Sequence, residues 1–572
     1  MASRQDDLLK AAVRSVRGAL VAVLGFSLVI NVLMLTGPLF MLQIYDRILP
    51  SHSVPTLVAM AVLVALLYMV FGFLEAIRGR VLSRVARRVD EHLADASFDA
   101  AVRLPNRGGE LVKTLAPTRD LETLRQFLSG PGPATIFDLP WMPIYLSIVF
   151  LFHPTLGLVA TGAIVVIVTL ALANEYASRQ PMRDAASSHA QGSALVDDAR
   201  RNAEVTGTMG MLGNLRRVWT ASRRDYLDSA QTAGDRGDGF SAAIKAARFG
   251  FQSAILGTAA YLAIFKAVSP GTMIAASIIM SRALAPIDQA VGHWRGFVNA
   301  RQSLARLRDV IASDAAAGPR TALPAPKASL DIADLSLAPP GMQKLTLKNV
   351  GFSLAAGEAL CVLGASGSGK STLARALVGV WPPHRGAIRL DGTEIDHFPD
   401  EARARHIGYL PQDVALFEGT VAENIARFGA DASSEDIVAA AELSGAIDVI
   451  RTLPDGFETQ LGPGGSGLSA GQRQRIALAR AVFGDPFLIV LDEPNSNLDS
   501  EGEQALANAV RALRERGRIV VIVAHRATAI SLASQVLVLD AGLQAAFGPR
   551  DEVLPKILRT VSTEGEASAA RS

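Results

Sequence analysis

Apolar residues run in long blocks through the first half of the chain and in short ones through the second. A bilayer core ~30 Å thick takes ~20 mainly apolar helical residues to cross. Six segments reach that length, at about 18–42, 56–76, 134–152, 156–175, 250–268 and 272–292, and predict six membrane-spanning helices. The last two are rich in Ala, Gly and Ser, small residues that let membrane helices approach closely.

Charge orients these spans. Lys10, Arg14 and Arg17 precede the first run, as in a signal peptide, but that run is longer than a signal-peptide core and further runs follow, so a retained signal anchor is expected. Arg78, Arg80, Arg84, Arg87 and Arg88 form one basic cluster, and Arg200, Arg201, Arg216, Arg217, Arg223 and Arg224 another. Both belong on the cytoplasmic side. The alternate connections, Tyr45 to Pro55, His153 to Thr155 and Lys266 to Gly271, are short and nearly uncharged, so they face outward and leave both chain ends in the cytoplasm.

The long connections, about 77–133 and 176–249, read as charged helices broken by Gly and Pro, their basic runs being by default solvated faces or lipid-headgroup contacts. Within them, Leu115 to Asp120 and Gly207 to Asn214 have the turn-forming residues of loop tips that touch another domain. Asp138, near the cytoplasmic start of the third span, either lines a substrate path or has an interfacial structural role beside Pro140 and Trp141.

The segment from Asp314 to Ala328 has three prolines and few bulky residues and reads as a linker. From Ser329 to Pro555 short β-rich runs alternate with helical patterns, predicting an α/β domain on a largely parallel sheet. The expected organisation is an N-terminal cytoplasmic segment (1–17), an all-α polytopic membrane domain (18–312), a linker (313–328), an α/β domain (329–555) and a disordered tail (556–572). Composition agrees: of 572 residues 49% are apolar and only 19% charged, and mean hydropathy is +0.27. The net charge of +2 is too small for a nucleic-acid binder, and the one cysteine, Cys361 in an apolar run, reads as a buried thiol.

The sharpest local signal is Gly364-Ala365-Ser366-Gly367-Ser368-Gly369-Lys370-Ser371-Thr372, between a strand-like and a helical run. It matches the phosphate-binding loop G-x-x-x-x-G-K-[ST] of nucleotide hydrolases: glycines let backbone N–H groups curl around phosphates, Lys370 reaches the β and γ phosphates, and Ser371 holds Mg²⁺. An apolar strand ending at Asp492-Glu493 is the second signal, placing Asp492 in the magnesium shell and Glu493 against the attacking water.

With those motifs in place, Leu468-Ser469-Ala470-Gly471-Gln472-Arg473-Gln474-Arg475 resembles the signature of ATP-binding-cassette (ABC) proteins, and it lies shortly before the paired acids as in that family. The resemblance implies a P-loop NTPase cassette fold that uses ATP and Mg²⁺. It makes Gln412 the loop glutamine near the metal, Asp499 part of a dimer-interface loop and His525 the switch histidine at the γ-phosphate. It also implies a homodimer, in which Leu468 to Gln472 of one copy cap the phosphates held by Lys370 of the other. Two departures stand out. Ala470 replaces the commoner Gly, which preserves backbone donation unless a positive φ is required, and no aromatic for adenine stacking lies near Ala338-Pro339-Pro340.

Spans preceding a cassette in one chain resemble an exporter half. The stretches Leu42 to Ser53, Phe127 to Pro133, Phe137 to Pro143, Arg282 to Pro286 and Gly379 to Pro383 resemble the permease-ATPases of bacterial type I secretion systems, closest to the protease-secretion branch. That resemblance implies an inner-membrane translocase exporting an unfolded protein with a C-terminal signal, together with a periplasmic membrane-fusion adaptor and an outer membrane channel. With only a short basic segment before the first span, the N-terminal peptidase-like domain of the bacteriocin and haemolysin branches is expected to be absent. The alternative on the same fold is export of lipids or small hydrophobic compounds.

Overall fold

The computed structural model describes residues 2–108, 116–314, 323–524 and 526–555. They fall into two compact units: residues 2–102 with 116–314, and residues 103–108 with 323–524 and 526–555.

The first unit is helical throughout. Among the described residues five helices are long and apolar enough to cross a membrane by length and composition. The fifth segment expected from sequence lies at the end of another long helix, Leu212–Ile264 of 53 residues, which falls short of that apolarity. Polar Gln252, Ser253 and Thr258 dilute its apolar stretch. The first span differs as well. Its helix breaks after Leu33, resumes at Thr36–Gln43, widens to a π turn over Ile44–Ile48 and runs to Ser51, so helix occupies much of the expected loop from Tyr45.

The long connections are largely continuations of the spans. Val54–Arg103 covers 50 residues, Pro154–Arg201 covers 48 and Pro270–Asp314 covers 45, the last two with Pro181 and Pro286 inside them. The reversals come where the chain carries turn residues: His153, its side chain accepting from Thr155 N–H before Pro154, and Gly210 at φ +65°. The tip expected from Gly207 to Asn214 begins in the last turn of helix Ala203–Thr208 and reverses tightly into helix Leu212–Ile264, with Met209, Met211 and Leu212 exposed. Of the tip expected from Leu115 to Asp120, Leu115 lies outside the described residues and residues 117–120 form the first turn of helix Pro117–Ser129. There Asp120 is buried, accepting from Ser303 Oγ at 2.8 Å and from Arg306 Nε at 3.0 Å.

Tyr145, Leu156, Ile167, Ile255 and Met280 are packed together in the core of this bundle. The apolar stretch of Val54–Arg103 is instead turned outward, with Val58, Val62, Leu66, Met69 and Phe73 exposed along it. Polar contacts pin the helices together. Asp46 accepts from Gly271 N–H at 2.7 Å and from Ser269 Oγ, placing a carboxylate at the N-terminus of Pro270–Asp314, where the helix dipole favours it. Deeper in, Arg78 Nη1 donates to Asp138 at 3.0 and 3.1 Å, Asn31 Nδ2 to the same carboxylate at 2.8 Å, and Tyr145 Oη to Asn31 Oδ1 at 3.0 Å. Asp138, Arg78 and Asn31 are all buried, and this favours the structural reading of Asp138.

The second unit is α/β. Its ten-stranded sheet runs β5-β4-β1-β2-β12-β11-β3-β10-β9-β6. Here β1 is Ser329–Leu337, β2 Leu347–Ala355, β3 Ala359–Gly364, β4 Arg385–Leu390, β5 Thr393–Glu394 and β6 Ile407–Leu410. A separate short pair, β7 Gly419–Thr420 and β8 Gln460–Leu461, precedes β9 Leu488–Asp492, β10 Ile519–Val523, β11 Gln535–Asp540 and β12 Leu543–Pro549. Strands β11, β3, β10, β9 and β6 are mutually parallel; β1 pairs antiparallel with β2 and β4, and β12 pairs antiparallel with β11 but parallel with β2. The expected largely parallel sheet is thus a parallel core with an antiparallel wing. The core strands read as continuous apolar runs because both faces are covered: every residue of β9 and β10 is buried. Cys361 lies fully buried on β3, and burial pushes its thiol up to about 12.

Candidate active site

The phosphate-loop segment leaves the C-terminal end of β3 and enters helix Lys370–Leu377. Gly364, Gly367 and Gly369 have φ of +154°, +80° and +102°, which side-chain-bearing residues avoid. Space enforces the same choice. A Cβ on Gly364 would lie 2.3 Å from Leu539 O, and one on Gly369 2.7 Å from Leu347 Cδ2. The crest, Ala365 to Gly367, is exposed, while Ser368, Gly369, Lys370 and Thr372 are buried.

Lys370 Nζ donates to the carbonyls of Gly364 and Ala365, each at 2.9 Å, so the ammonium lies folded under the crest of the loop. Burial lowers its pKa, opposed by the nearby Glu493 and Asp492 carboxylates. Ser368 Oγ is buried with no hydrogen-bond partner among the described residues. A glycine cradle, a helix N-terminus, a buried cation and an unpaired hydroxyl fit an anionic phosphate chain.

Two strands away, β9 ends at Asp492, whose Oδ1 accepts from Ser371 Oγ at 3.3 Å. Burial raises the Asp492 pKa and the Glu493 charge adds to this, against the Ser371 hydrogen bond and the Arg375 and Lys370 cations. Glu493 sits at φ +51°, a left-handed turn that ends the strand, and its N–H donates to Val523 O at 2.9 Å. Its Oε2 accepts from Gln412 Nε2 at 3.1 Å. Ser371, Gln412 and Asp492 offer hard oxygen donors, a set suited to Mg²⁺, which binds through one or two carboxylates plus substrate phosphates.

The signature segment lies apart from this loop; among the described residues no hydrogen bond joins 468–472 to 364–372. Ser469 caps helix Ala470–Val482: its Oγ accepts from Gln472 N–H at 3.2 Å, and Gln472 Oε1 accepts from Ser469 N–H at 2.9 Å. Ala470 is the first residue of that helix and is not among the positive-φ residues, so the alanine sits there without strain. Gly471 is constrained, since a Cβ would meet Asn497 O at 2.9 Å. Leu468 is buried, whereas Ser469 and Ala470 are exposed, presenting the capped helix start to solvent.

Two ties reach from this helix to the turn after the paired acids. Gln474 Nε2 donates to Glu493 O at 3.3 Å while its Oε1 accepts from Asn497 N–H at 3.2 Å, and Arg475 Nη2 donates to Asp499 Oδ1 at 2.7 Å. Sequence reasoning gave Gln474 no role of its own; its burial, unusual for a glutamine flanked by two arginines, becomes visible only in the structure. Asp499 also caps helix Ser500–Glu515 through Gly502 N–H. His525 lies outside the described residues. The connection Ala338–Thr346, in which the sequence offers no aromatic for adenine stacking, carries exposed Met342, and its end packs against the loop: a Cβ on Gly369 would lie 3.2 Å from Thr346 O.

The family models that match are the ABC transporter, over residues 347–496, and the ABC transporter transmembrane region, over residues 20–285. The chain is 45% identical over 554 residues to the type I secretion system ATP-binding protein PrsD of Rhizobium meliloti, covering 97% of this chain and 95% of that one. It is 29% identical over 545 residues to the cyclolysin secretion/processing ATP-binding protein CyaB of Bordetella pertussis, covering 93% and 75%. A solved bacterial Atm1-family ABC exporter with ATP bound superimposes with a TM-score of 0.81, over 95% of this chain and 96% of that one, at 24% identity.

Proposed function

The chain belongs to the ABC transporters, in their type I secretion group, and on that premise we propose that two identical copies form one exporter of unfolded polypeptide bearing a C-terminal signal. It is a multi-pass membrane protein that hydrolyses ATP to drive protein export. The near-full-length likeness to the Rhizobium protein carries the reading of the cargo. The membrane domain spans 18–312 and the cassette 329–555, in the inner membrane with both termini and the cassette cytoplasmic. Export continues through a periplasmic membrane-fusion adaptor and an outer membrane channel.

In this reading residues 364–372 cradle the ATP phosphates, with Lys370 turning from the Gly364 and Ala365 carbonyls to the β and γ oxygens. Ser371, Asp492 and Gln412 would hold Mg²⁺, which neutralises charge developing on the phosphate oxygens. Glu493 accepts the proton of the attacking water, and His525 stands at the γ-phosphate. Exposed Ser469 and Ala470 supply the opposite wall of the partner copy's site, so closing two chains on ATP completes two sites. Asp499 belongs to the loop at that interface. The long helices carry the closure to the membrane path, and hydrolysis releases it.

Reconstitution tests the reading. In proteoliposomes the full chain accumulates an unfolded polypeptide carrying its own C-terminal segment, dependent on ATP and Mg²⁺. Flipping of labelled phospholipid or dye extrusion, with no polypeptide moved, would replace it by the lipid or small-compound alternative.

A further inference from the structure

Where the apolar stretches of Pro154–Arg201 and Pro270–Asp314 give way to charge, the two helices enclose a cavity of ≈ 480 Å³. One wall carries Glu175, Arg179 and Arg183; the other carries Trp294, Phe297 and Arg301, with Arg295 beside them. The single acid is already engaged, accepting from Trp294 Nε1. Among the described residues none of Arg179, Arg183, Arg295 and Arg301 meets a carboxylate, and all four are exposed. Arg295 reaches only a backbone carbonyl, Ala233 O at 3.4 Å. Aromatic surface stands next to this charge, with the Trp294 and Phe297 rings 5.5 Å apart.

We propose that this cavity is a docking site for a short acidic segment of the exported polypeptide, held by arginine–carboxylate pairs and an apolar side chain against Trp294 and Phe297. The inference rests on the reading of the cargo as polypeptide. Four arginines facing one occupied glutamate select an anion, and planar guanidinium groups match carboxylates in pairs. Shape selects a chain over a lipid headgroup. The lining runs from position 175 to 186 on one helix and from 294 to 305 on the other. At ~1.5 Å per residue that is about 16 Å, whereas the headgroup layer of one leaflet is only ~5–8 Å deep. An extended peptide covers the same length with about five residues.

The test uses the full chain in nanodiscs and, as probe, a fluorescent nine-residue peptide alternating Asp and Leu around one Phe, against its Asp→Asn counterpart. The acidic peptide is expected to bind at least about tenfold more tightly, the equivalent of one charge-assisted hydrogen bond. The paired change Arg179→Glu with Arg183→Glu removes that preference while basal ATPase stays at its wild-type level, and Arg179→Lys with Arg183→Lys, which keeps the charge but not the planar fork, restores only part of it. Equal binding of the two peptides, or indifference to the charge reversal, overturns the site. So does binding that follows the anionic lipid content of the nanodisc, which would assign the cavity to headgroups. Polypeptide translocation measured in parallel separates the two claims. Wild-type protein that moves no polypeptide removes the transport reading, whereas full translocation by the charge-reversed protein removes only this site.

Discussion

Gln412 and Glu493, 81 residues apart in sequence, are joined by a hydrogen bond of 3.1 Å from the amide nitrogen to the carboxylate. The bond ties the loop after β6 to the end of β9, linking the group proposed to activate the attacking water with a ligand proposed for the metal. Glu493→Gln keeps the shape but removes the proposed base. Hydrolysis is expected to fall at least about 100-fold, within the range of general-base losses, with ATP binding unchanged. Single-turnover phosphate release and nucleotide titration check this.

Gln412→Ala removes a neutral oxygen donor and frees Glu493. The Mg²⁺ concentration for half-maximal ATPase is expected to rise about tenfold, the scale on which lost supporting ligands weaken metal sites. A Mg²⁺ titration of steady-state ATPase reads this directly, and an unchanged midpoint would take Gln412 out of the metal shell.

Asp492 makes the site sensitive to pH. Burial first, and the neighbouring Glu493 charge next, hold its pKa above the ordinary carboxylate value of 3.8. The folded site therefore binds that proton more tightly than the unfolded chain, and stability falls as pH rises from the unfolded value to the folded one. A divalent cation held there with ATP, as proposed, would relieve this. Thermal stabilisation by Mg²⁺ and ATP, about 2.7 kcal/mol at a hundredfold excess over Kd, should be largest above the folded pKa and shrink as pH falls through it. Asp492→Asn is expected to stabilise the nucleotide-free protein at neutral pH and to abolish the Mg²⁺ increment in a melting scan.

Arg78 and Asp138 form a buried pair in the membrane unit, 3.0 Å apart. Arg78→Ala leaves a buried carboxylate uncompensated and should destabilise the protein by ~3–5 kcal/mol, while the apolar pair Arg78→Met with Asp138→Leu returns close to wild type. Unfolding in detergent measures both. A double variant as unstable as the single one would contradict the structural reading of Asp138.

How much of this was legible beforehand varies with how local the signal is. The phosphate loop was readable residue by residue, because glycine spacing, lysine and flanking runs all act within a few positions. So was the burial of Cys361, set in an unbroken apolar strand. The antiparallel wing was not, since apolar alternation says that β1 and β2 are strands but not which way they pair. Asp120 read as part of a tip because its partners, Ser303 and Arg306, are far along the chain. Asp138 stayed open between two roles for the same reason: Arg78 and Asn31 reach it across 60 and 107 residues. At Ala470 the sequence posed the question of positive φ, and the first turn of the signature helix answers it.

The central claim is that two chains share each ATP site, and subunit mixing tests it most directly. Lys370→Ala disables the phosphate loop and Ser469→Arg the exposed signature; each variant alone should neither hydrolyse ATP nor move polypeptide. Co-assembled in equal amounts, half of the pairs contain one intact loop facing one intact signature, and ATPase should return to about one quarter of wild type in a symmetric dimer, with translocation reappearing. A mixture as silent as its components would show that each chain uses its own signature, and would contradict the account.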